Sequence, residues 1–466
     1  MRASTLVWVG ALTAACSSGY QVNPDGYCRR RPADPACAAG AGGSAGASGG
    51  GGAGGASGTG GASGLGGGGG GMGGSGGLAC AAPTVECGGA CVDLKADDAQ
   101  NCGACGRSCR GATCTQGACV PEAMASNEVA PYALADDGSY LYWVSPAIKD
   151  NVAFSRMRRV AKASAGGAAE NAFAGTIVRA RSLAFADGKL FWGDLGASPS
   201  DVANQRLVSA APADLGPQLV AGAQPGIEHV ALAAGKAYWL IGGGGGAVRG
   251  KSADGTGDIS PEVFGQVNPS WLSVDGDAQP YWVAVDAAGT GREVRRAVSS
   301  NAAEPVASGG AGLRAVELFG DRFYWADGAA VRSRPKASPT EAPREELTAA
   351  GPVEGFAVVA AGGGGAGGAG GAAGAGGGEG EATLYVLTAE GRQLRAWRKG
   401  PDDAEPLLLG EVEAKAAAYA GNPFGAAYVR VDAQYVYFAD VGTLTGATPE
   451  LVQVSAGDGV VYRVAR

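Results

Sequence analysis

Three short stretches place an aspartate two residues beyond an aromatic pair or its equivalent: Phe191-Trp192-Gly193-Asp194, Tyr324-Trp325-Ala326-Asp327 and Tyr437-Phe438-Ala439-Asp440. Carboxylates repeated at matching strand positions emerge on one face of an assembly, where they could hold calcium or a cationic ligand. Four further copies of the motif carry Ser145, Ile241, Ala284 and Thr388 instead, and no Asp-x-Asp-x-Asp oxygen loop is present. Asp194, Asp327 and Asp440 therefore read first as structural groups accepting backbone N–H bonds at strand ends, and second as a ligand face. His229 is the chain's only histidine, which excludes a multi-histidine metal site and leaves one residue for any Ser-His-Asp or Cys-His nucleophile. Its setting, Gly226-Ile227-Glu228-His229-Val230-Ala231-Leu232, alternates as a strand does. No catalytic residue, metal or cofactor is assigned from these patterns.

Cysteine supplies the other reactive chemistry. The eleven cysteines all precede residue 120, and an odd number in an exported chain leaves one thiol to explain. Met1-Arg2 is followed by a mostly apolar run over residues 6–15 that ends in small residues before Cys16, which is the anatomy of an export signal too short to span a bilayer. Leu12-Thr13-Ala14-Ala15-Cys16 resembles a bacterial lipobox, with Thr13 where a larger aliphatic residue is usual, and this resemblance implies lipidation of Cys16. Ordinary signal cleavage and an uncleaved segment are the alternatives. Ten cysteines then remain for disulfides: Cys28 with Cys37, and a module of Cys80, Cys87, Cys91, Cys102, Cys105, Cys109, Cys114 and Cys119. Such a module is too small for a core of its own and requires covalent staples, in a connectivity that spacing leaves open. Cys87-x3-Cys91 and Cys102-x2-Cys105 have zinc-ribbon spacing, but an exported chain with four more cysteines nearby favours disulfides.

The elements that position these residues recur. Tyr142-Trp143, Phe191-Trp192, Tyr238-Trp239, Tyr281-Trp282 and Tyr324-Trp325 each follow a short polar turn, and weaker copies lie at Leu384-Tyr385-Val386 and Tyr435-Val436-Tyr437-Phe438. Their intervals are 49, 47, 43, 43, 61 and 52 residues. A period in the forties with several strands per copy is the signature of a β-propeller, each blade being a sheet that must stack on neighbours to bury its faces. Seven copies predict an all-β, seven-bladed propeller, or six blades if one weak copy is misread. The long interval contains a Gly/Ala tract, residues 361–380, placed where a hairpin turn belongs; closure entropy grows only slowly with loop length, so the blade can carry it. The chain ends after Val461-Tyr462-Arg463-Val464, before a fourth strand of the last copy, so residues 120–129 are predicted to complete that sheet.

Two of these patterns resemble known families. Asn101-Cys102-Gly103-Ala104-Cys105-Gly106 with Cys109, Cys114 and Cys119 resembles the cysteine-rich repeat of stigma-specific Stig1-like proteins, over this module alone. The three aspartate-bearing motifs resemble the Tyr-Trp-Thr-Asp repeat of propellers in the low-density-lipoprotein-receptor family, with Gly or Ala in place of Thr. That family generally has six blades; the resemblance implies that the motif knits blades together while ligands dock on one face of the disc.

The expected organisation is a signal peptide (1–15), a lipidated segment (16–37), a Gly/Ala/Ser-rich linker (38–79), the cysteine-rich module (80–119) and the propeller (120–466). The linker lacks side chains able to offset chain entropy and is expected to act as a flexible tether. A net charge of −8 and a pI near 5.0 argue against a nucleic-acid partner. Third-strand arginines, Arg158, Arg206, Arg249, Arg295, Arg332, Arg395 and Arg463, are expected to occupy the solvent-facing side of alternating strands or to pair with nearby acids rather than form a ring for an anionic glycan. The functional expectation is a lipid-anchored cell-envelope protein, outer-membrane or secreted, whose propeller recognises a protein or polysaccharide without catalysis. The alternative is a propeller enzyme, a carbohydrate lyase or hydrolase, using paired carboxylates in the central funnel with one pKa raised.

Overall fold

The computed structural model describes residues 79–149, 152–173, 180–196, 202–212, 216–243, 245–299, 301–361, 367–368, 381–415, 428–445, 453–454 and 457–466. The expected signal peptide, Cys16, the Cys28/Cys37 pair, nearly all of the tether and most of the Gly/Ala insertion lie outside these residues.

The aromatic repeats build blades. Each copy starts with a strand whose neighbour across a tight hairpin is the aromatic strand. Asp187-Gly188 joins Leu183–Ala186 to Lys189–Asp194 with both turn residues at positive φ, 50° and 73°, the geometry that matches strand twist. Gly320, φ 55°, opens the equivalent turn between Leu313–Phe319 and Arg322–Asp327. Third and fourth strands follow in sequence order, giving four-stranded antiparallel sheets for blades one to six. Blade one contains Tyr132–Asp136, Tyr140–Lys149, Val152–Ala161 and Glu170–Asn171. Blades two to six begin with Leu183–Ala186, Ile227–Ala233, Ser270–Val274, Leu313–Phe319 and Val353–Ala360. Blade seven begins with Arg430–Val431, and these first strands lie against one another in a closed cycle of seven around the axis.

Stacking buries what the pattern supplies. Trp143, Trp192, Trp239, Trp282 and Trp325, together with Tyr142, Tyr238, Tyr281, Tyr385 and Tyr437, are among the largest side chains fully removed from water. An isolated blade would expose these rings on both faces, and each is worth a few kcal/mol of burial.

Blade seven closes the ring with sequence from both ends. Its order is Arg430–Val431, Tyr435–Asp440, Gly459–Ala465 and then Glu122–Glu128, so the outer strand comes from the N-terminal side of the propeller. Within the insertion, Gly367–Gly368 pairs with Arg430–Val431 on the sheet's inner edge.

Polar contacts bind the blades to one another. Glu128, at the end of the closing strand, accepts the Trp143 indole N–H (3.1 Å), the Ser145 hydroxyl (3.3 Å) and a bidentate pair of bonds from Arg158 (3.1 and 3.0 Å), all on blade one. Gln224 does the same for Trp239 (3.2 Å) and Arg249 (2.6 Å), and Gln266 accepts from Trp282 (3.3 Å). Lys162 of blade one bridges Asp136 of its own blade and Asp432 of blade seven, at 2.6 Å to each.

The cysteine-rich module is not a free knob; it is docked on the ring. Its bridges are Cys80–Cys91, Cys87–Cys105, Cys102–Cys114 and Cys109–Cys119, so the cysteines with zinc-ribbon spacing are oxidised and joined to other partners. Buried Arg107 donates to Cys102 O (3.0 Å) within the module, to Leu408 O (3.2 Å) and Leu409 O (2.7 Å) on the outer strand of blade six, and to Ala465 O (3.2 Å) on blade seven. Gly410 is required at this junction, because a Cβ there would stand 2.6 Å from Cys119 O and 2.9 Å from both Pro121 and Val464.

Glu128→Ala is expected to destabilise the protein by about 2–4 kcal/mol, since it leaves the buried Trp143 N–H without its acceptor and takes two charge-assisted bonds from the half-buried Arg158 guanidinium. Glu128→Gln, which keeps an acceptor oxygen, should lose less; urea unfolding monitored by tryptophan fluorescence checks both.

Candidate functional site at the propeller axis

The three strand-end aspartates occupy equivalent positions in their blades but meet different partners. Asp194 accepts from Arg206 (3.1 Å) and Asp327 from Arg332 (2.9 Å). Asp440 is fully buried and accepts the backbone N–H groups of Lys415 (2.9 Å) and Gly442 (3.0 Å), and burial pushes its carboxyl upward. Each sits in its own blade beside its own partner; the structure does not bring them together. The third-strand arginines are likewise engaged: Arg158 with Glu128, Arg249 with Gln224, Arg295 with Glu293, Arg395 with Glu390 and Glu411, and Arg463 with Glu122.

The side chains that do converge lie on the innermost strands. His229 of blade three stacks nearly parallel (4°) on Tyr428 at the entry of blade seven, with ring centroids 5.8 Å apart. Trp271 of blade four packs against both, at 4.9 Å from His229 and 5.0 Å from Tyr428. Blades three and four stand across the ring from blade seven, so a contact between them occupies the axis itself. Arg430 lies over the Tyr428 ring at 5.3 Å, and Glu317 of blade five joins the cluster, its carboxyl close to Arg430 and Trp271. All five residues are buried.

Burial decides the protonation of this cluster. It depresses the His229 imidazole to about 3, with the Arg430 charge acting in the same direction. It raises the Glu317 carboxyl to about 8 although Arg430 and Trp271 oppose the shift. Both groups are therefore mainly neutral at pH 7. Both His229 ring nitrogens and Glu317 Oε1 lack hydrogen-bond partners.

A recurrent backbone irregularity surrounds the cluster. Pairing between first and second strands slips near the start of the first strand in blades one, three, four, five and six: between Tyr132 and Ala135, Ile227 and His229, Ser270 and Leu272, Leu313 and Ala315, and Val353 and Gly355. The residues thrown out of register in the last four are Glu228, Trp271, Arg314 and Glu354. A bulge re-aims its side chain away from the regular pleat. Trp271 carries the backbone cost directly, with φ 44° in the left-handed region that non-glycine residues avoid. At the start of the first strands Glu228 accepts from Arg181, which precedes the first strand of blade two, and Glu354 accepts from Arg314 (2.6 Å). Glu354 is completely buried, and burial lifts its carboxyl to about 7 against the pull of Arg314. Arg292 reaches Ser270 Oγ and Leu313 O, both at 3.4 Å, beside Arg314.

Sequence reasoning placed His229 on its strand but did not place Trp271, Glu317, Glu354, Tyr428 or Arg430 with it. The available signal was a charged residue in an otherwise apolar first strand, as in Ile227-Glu228-His229-Val230, Leu313-Arg314-Ala315-Val316-Glu317 and Val353-Glu354-Gly355-Phe356.

Elsewhere, the sulfurs of Cys102, Cys109 and Cys119 lie within 4.8 Å of one another, but all three belong to disulfides and offer no thiolate to a metal. Among the described residues no helix is long and apolar enough to cross a membrane.

Comparison with known proteins identifies no family for this chain. No family model and no curated protein sequence matches the chain. Similar solved structures include the WD40 β-propeller domain of Doa1 (10% identity, TM-score 0.42, covering 74% of this chain and 97% of that one) and a putative gluconolactonase (11%, 0.34, 62% and 93%). A third, from a study of two prolyl endopeptidases, matches at 11% identity and TM-score 0.40 over 66% of this chain; the match spans only 46% of that chain's length.

Opposed titrations at the axis set a pH profile for stability. Glu317 has a folded pKa above its ordinary value, so its contribution is complete below about pH 4.5 and is lost as pH rises toward 8. His229, depressed to about 3, contributes fully above about pH 6.5 and loses that contribution as pH falls. Thermal melts from pH 4 to 9 should show an optimum near pH 5–6. Glu317→Gln should make the alkaline limb shallower, with Glu354, raised to about 7, supplying the remainder, and His229→Gln should flatten the acidic one.

Proposed function

We propose that this chain is an exported recognition protein, anchored in the cell envelope through a lipidated Cys16 and a Gly-rich tether, whose propeller binds a protein or polysaccharide and carries out no chemistry. The run of bulges at the start of the first strands in blades three to six is the observation that carries this reading. Four blades spend regular strand pairing to turn Glu228, Trp271, Arg314 and Glu354 out of register, and irregularity of that kind recurs beside sites that meet other molecules. The aromatic plug fills the axis, which suits a rigid docking face better than a deep substrate tunnel. Asp194, Asp327 and Asp440 act in this reading as blade-edge anchors flanking that face. The Tyr-Trp-Thr-Asp-like resemblance agrees with it, since that resemblance implies ligands docking on one face of the disc.

A second reading, an envelope lyase or hydrolase acting on carbohydrate, is favoured by one observation: Glu317 is a carboxyl held protonated near neutral pH in the axis, as a general acid requires.

Glycan and protein arrays probed with the purified mature chain separate the two. The recognition reading expects binding without turnover, weakened at least tenfold by Arg314→Ala or Arg181→Ala. Turnover of any arrayed glycan that is abolished by Glu317→Gln or Asp327→Asn would replace it with the enzymatic one. Mass spectrometry of the mature N-terminus tests the anchor: a diacyl- or triacyl-glyceryl cysteine at position 16 is expected, and an unmodified N-terminus refutes it.

A further inference from the structure

The chain passes from the last disulfide of the cysteine-rich module into the strand that closes the ring with almost no slack. Cys119 is bridged to Cys109, and the closing strand Glu122–Glu128 begins three residues later. The module is fixed to the seam on the other side as well, through the Arg107 bonds to Leu408, Leu409 and Ala465. Ala465 belongs to Gly459–Ala465, the strand that Glu122–Glu128 pairs with. One guanidinium thus holds the module, blade six and the C-terminal strand together beside the point where the ring is sealed.

Exposure divides the four bridges into two tiers. Cys102, Cys109, Cys114 and Cys119 are at most 1% exposed and pack in one apolar cluster with Leu409 and Val464 of the ring. The Cys80–Cys91 and Cys87–Cys105 bridges lie on the outer side, with Cys91 and Cys105 open to solvent. Thiol–disulfide exchange needs a thiolate to approach a sulfur in line, so the outer bridges are open to attack while the inner pair is shielded as long as the module stays docked.

We propose that the module is a thiol-sensitive latch on the propeller's closing strand: a dithiol reductant opens the two outer bridges with the ring intact, and opens the two inner ones only as the module leaves the seam, which frees Glu122–Glu128 from the C-terminal strand. In each exchange one thiolate of the reductant attacks a bridge sulfur and forms a mixed disulfide while the partner cysteine leaves as a thiolate. The second thiol then closes the reductant's own disulfide and releases the other cysteine. Two electrons and two protons pass from reductant to protein per bridge. Release of the strand uncovers the hydrogen-bonding edge of Gly459–Ala465 and removes the Glu128 carboxylate from Trp143 and Arg158, so blade seven loses its outer strand as blade one loses its Glu128 contacts.

Dithiothreitol titration of the full chain, with alkylation and mass-spectrometric mapping of freed thiols alongside hydrogen exchange, tests the latch. The expected course has two stages. Cys80, Cys87, Cys91 and Cys105 are alkylated first with exchange in the ring unchanged. Cys102, Cys109, Cys114 and Cys119 follow together, as residues 122–128 and 459–465 lose protection and the first three strands of blades two to five keep theirs. Arg107→Ala, which leaves every bridge in place, should speed reduction of the inner pair at least tenfold with little effect on the outer pair. Reduction of the inner pair without loss of protection at 122–128, simultaneous reduction of all four bridges, or uniform loss of protection around the ring would each overturn the proposal.

Discussion

A blade in this protein carries large aromatic side chains that must be covered on both faces, so each blade depends on a neighbour on either side. The ring is closed by one antiparallel pairing, Gly459–Ala465 with Glu122–Glu128, which joins sequence from opposite ends of the propeller. The blades beside the seam depend on it most directly, because release of that pairing uncovers a sheet edge and the contacts that join blade seven to blade one. The seam is correspondingly dense. It combines the Glu128 cap on Trp143 and Arg158, the Lys162 bridge between Asp136 and Asp432, and the Arg107 contacts from the docked module.

The seam also shows how a repeat supplies polar specificity without exposing it. A tryptophan in the second strand buries its ring against the next blade but brings an indole N–H that needs an acceptor. At three junctions the preceding outer strand, or the turn after it, provides one: Glu128, Gln224 and Gln266. The arginine opposite the tryptophan shares that acceptor in the first two cases, so the cation is held within a blade junction rather than offered to an anionic ligand. Asp194 and Asp327 hold the arginines of their own blades, Arg206 and Arg332, while Asp440 accepts backbone N–H groups, so the strand-end aspartates are engaged within their blades rather than gathered into a site.

The axis follows a different logic. Interior positions on the first strands are mostly small or aliphatic, yet His229, Glu317, Tyr428 and Arg430 meet there, and the low local polarizability drives the first two to their neutral forms. Neutralisation lowers the cost of burial but leaves polar atoms unpaired, an arrangement that a core selected for stability alone would replace with leucine or phenylalanine. With the bulged, charged residues at the start of the first strands, this makes the axis and its rim the part of the molecule where structure departs furthest from what folding requires.

The repeat itself was legible in the chain. Tyr-Trp pairs at intervals in the forties, Gly-containing turns before them and a missing last strand were enough to infer seven blades and a closing strand at residues 120–129, because period, turn chemistry and edge protection are local or nearest-neighbour properties. The eight cysteines required staples for the same local reason, their small span. The pairing of those cysteines, the docking of the module through Arg107, and the meeting of His229 with Trp271, Glu317, Tyr428 and Arg430 were decided only in three dimensions. Residues 229 and 428 are adjacent because the ring closes, and a bulge that turns Trp271 out of register is a one-residue slip between strands that no periodicity within either strand encodes.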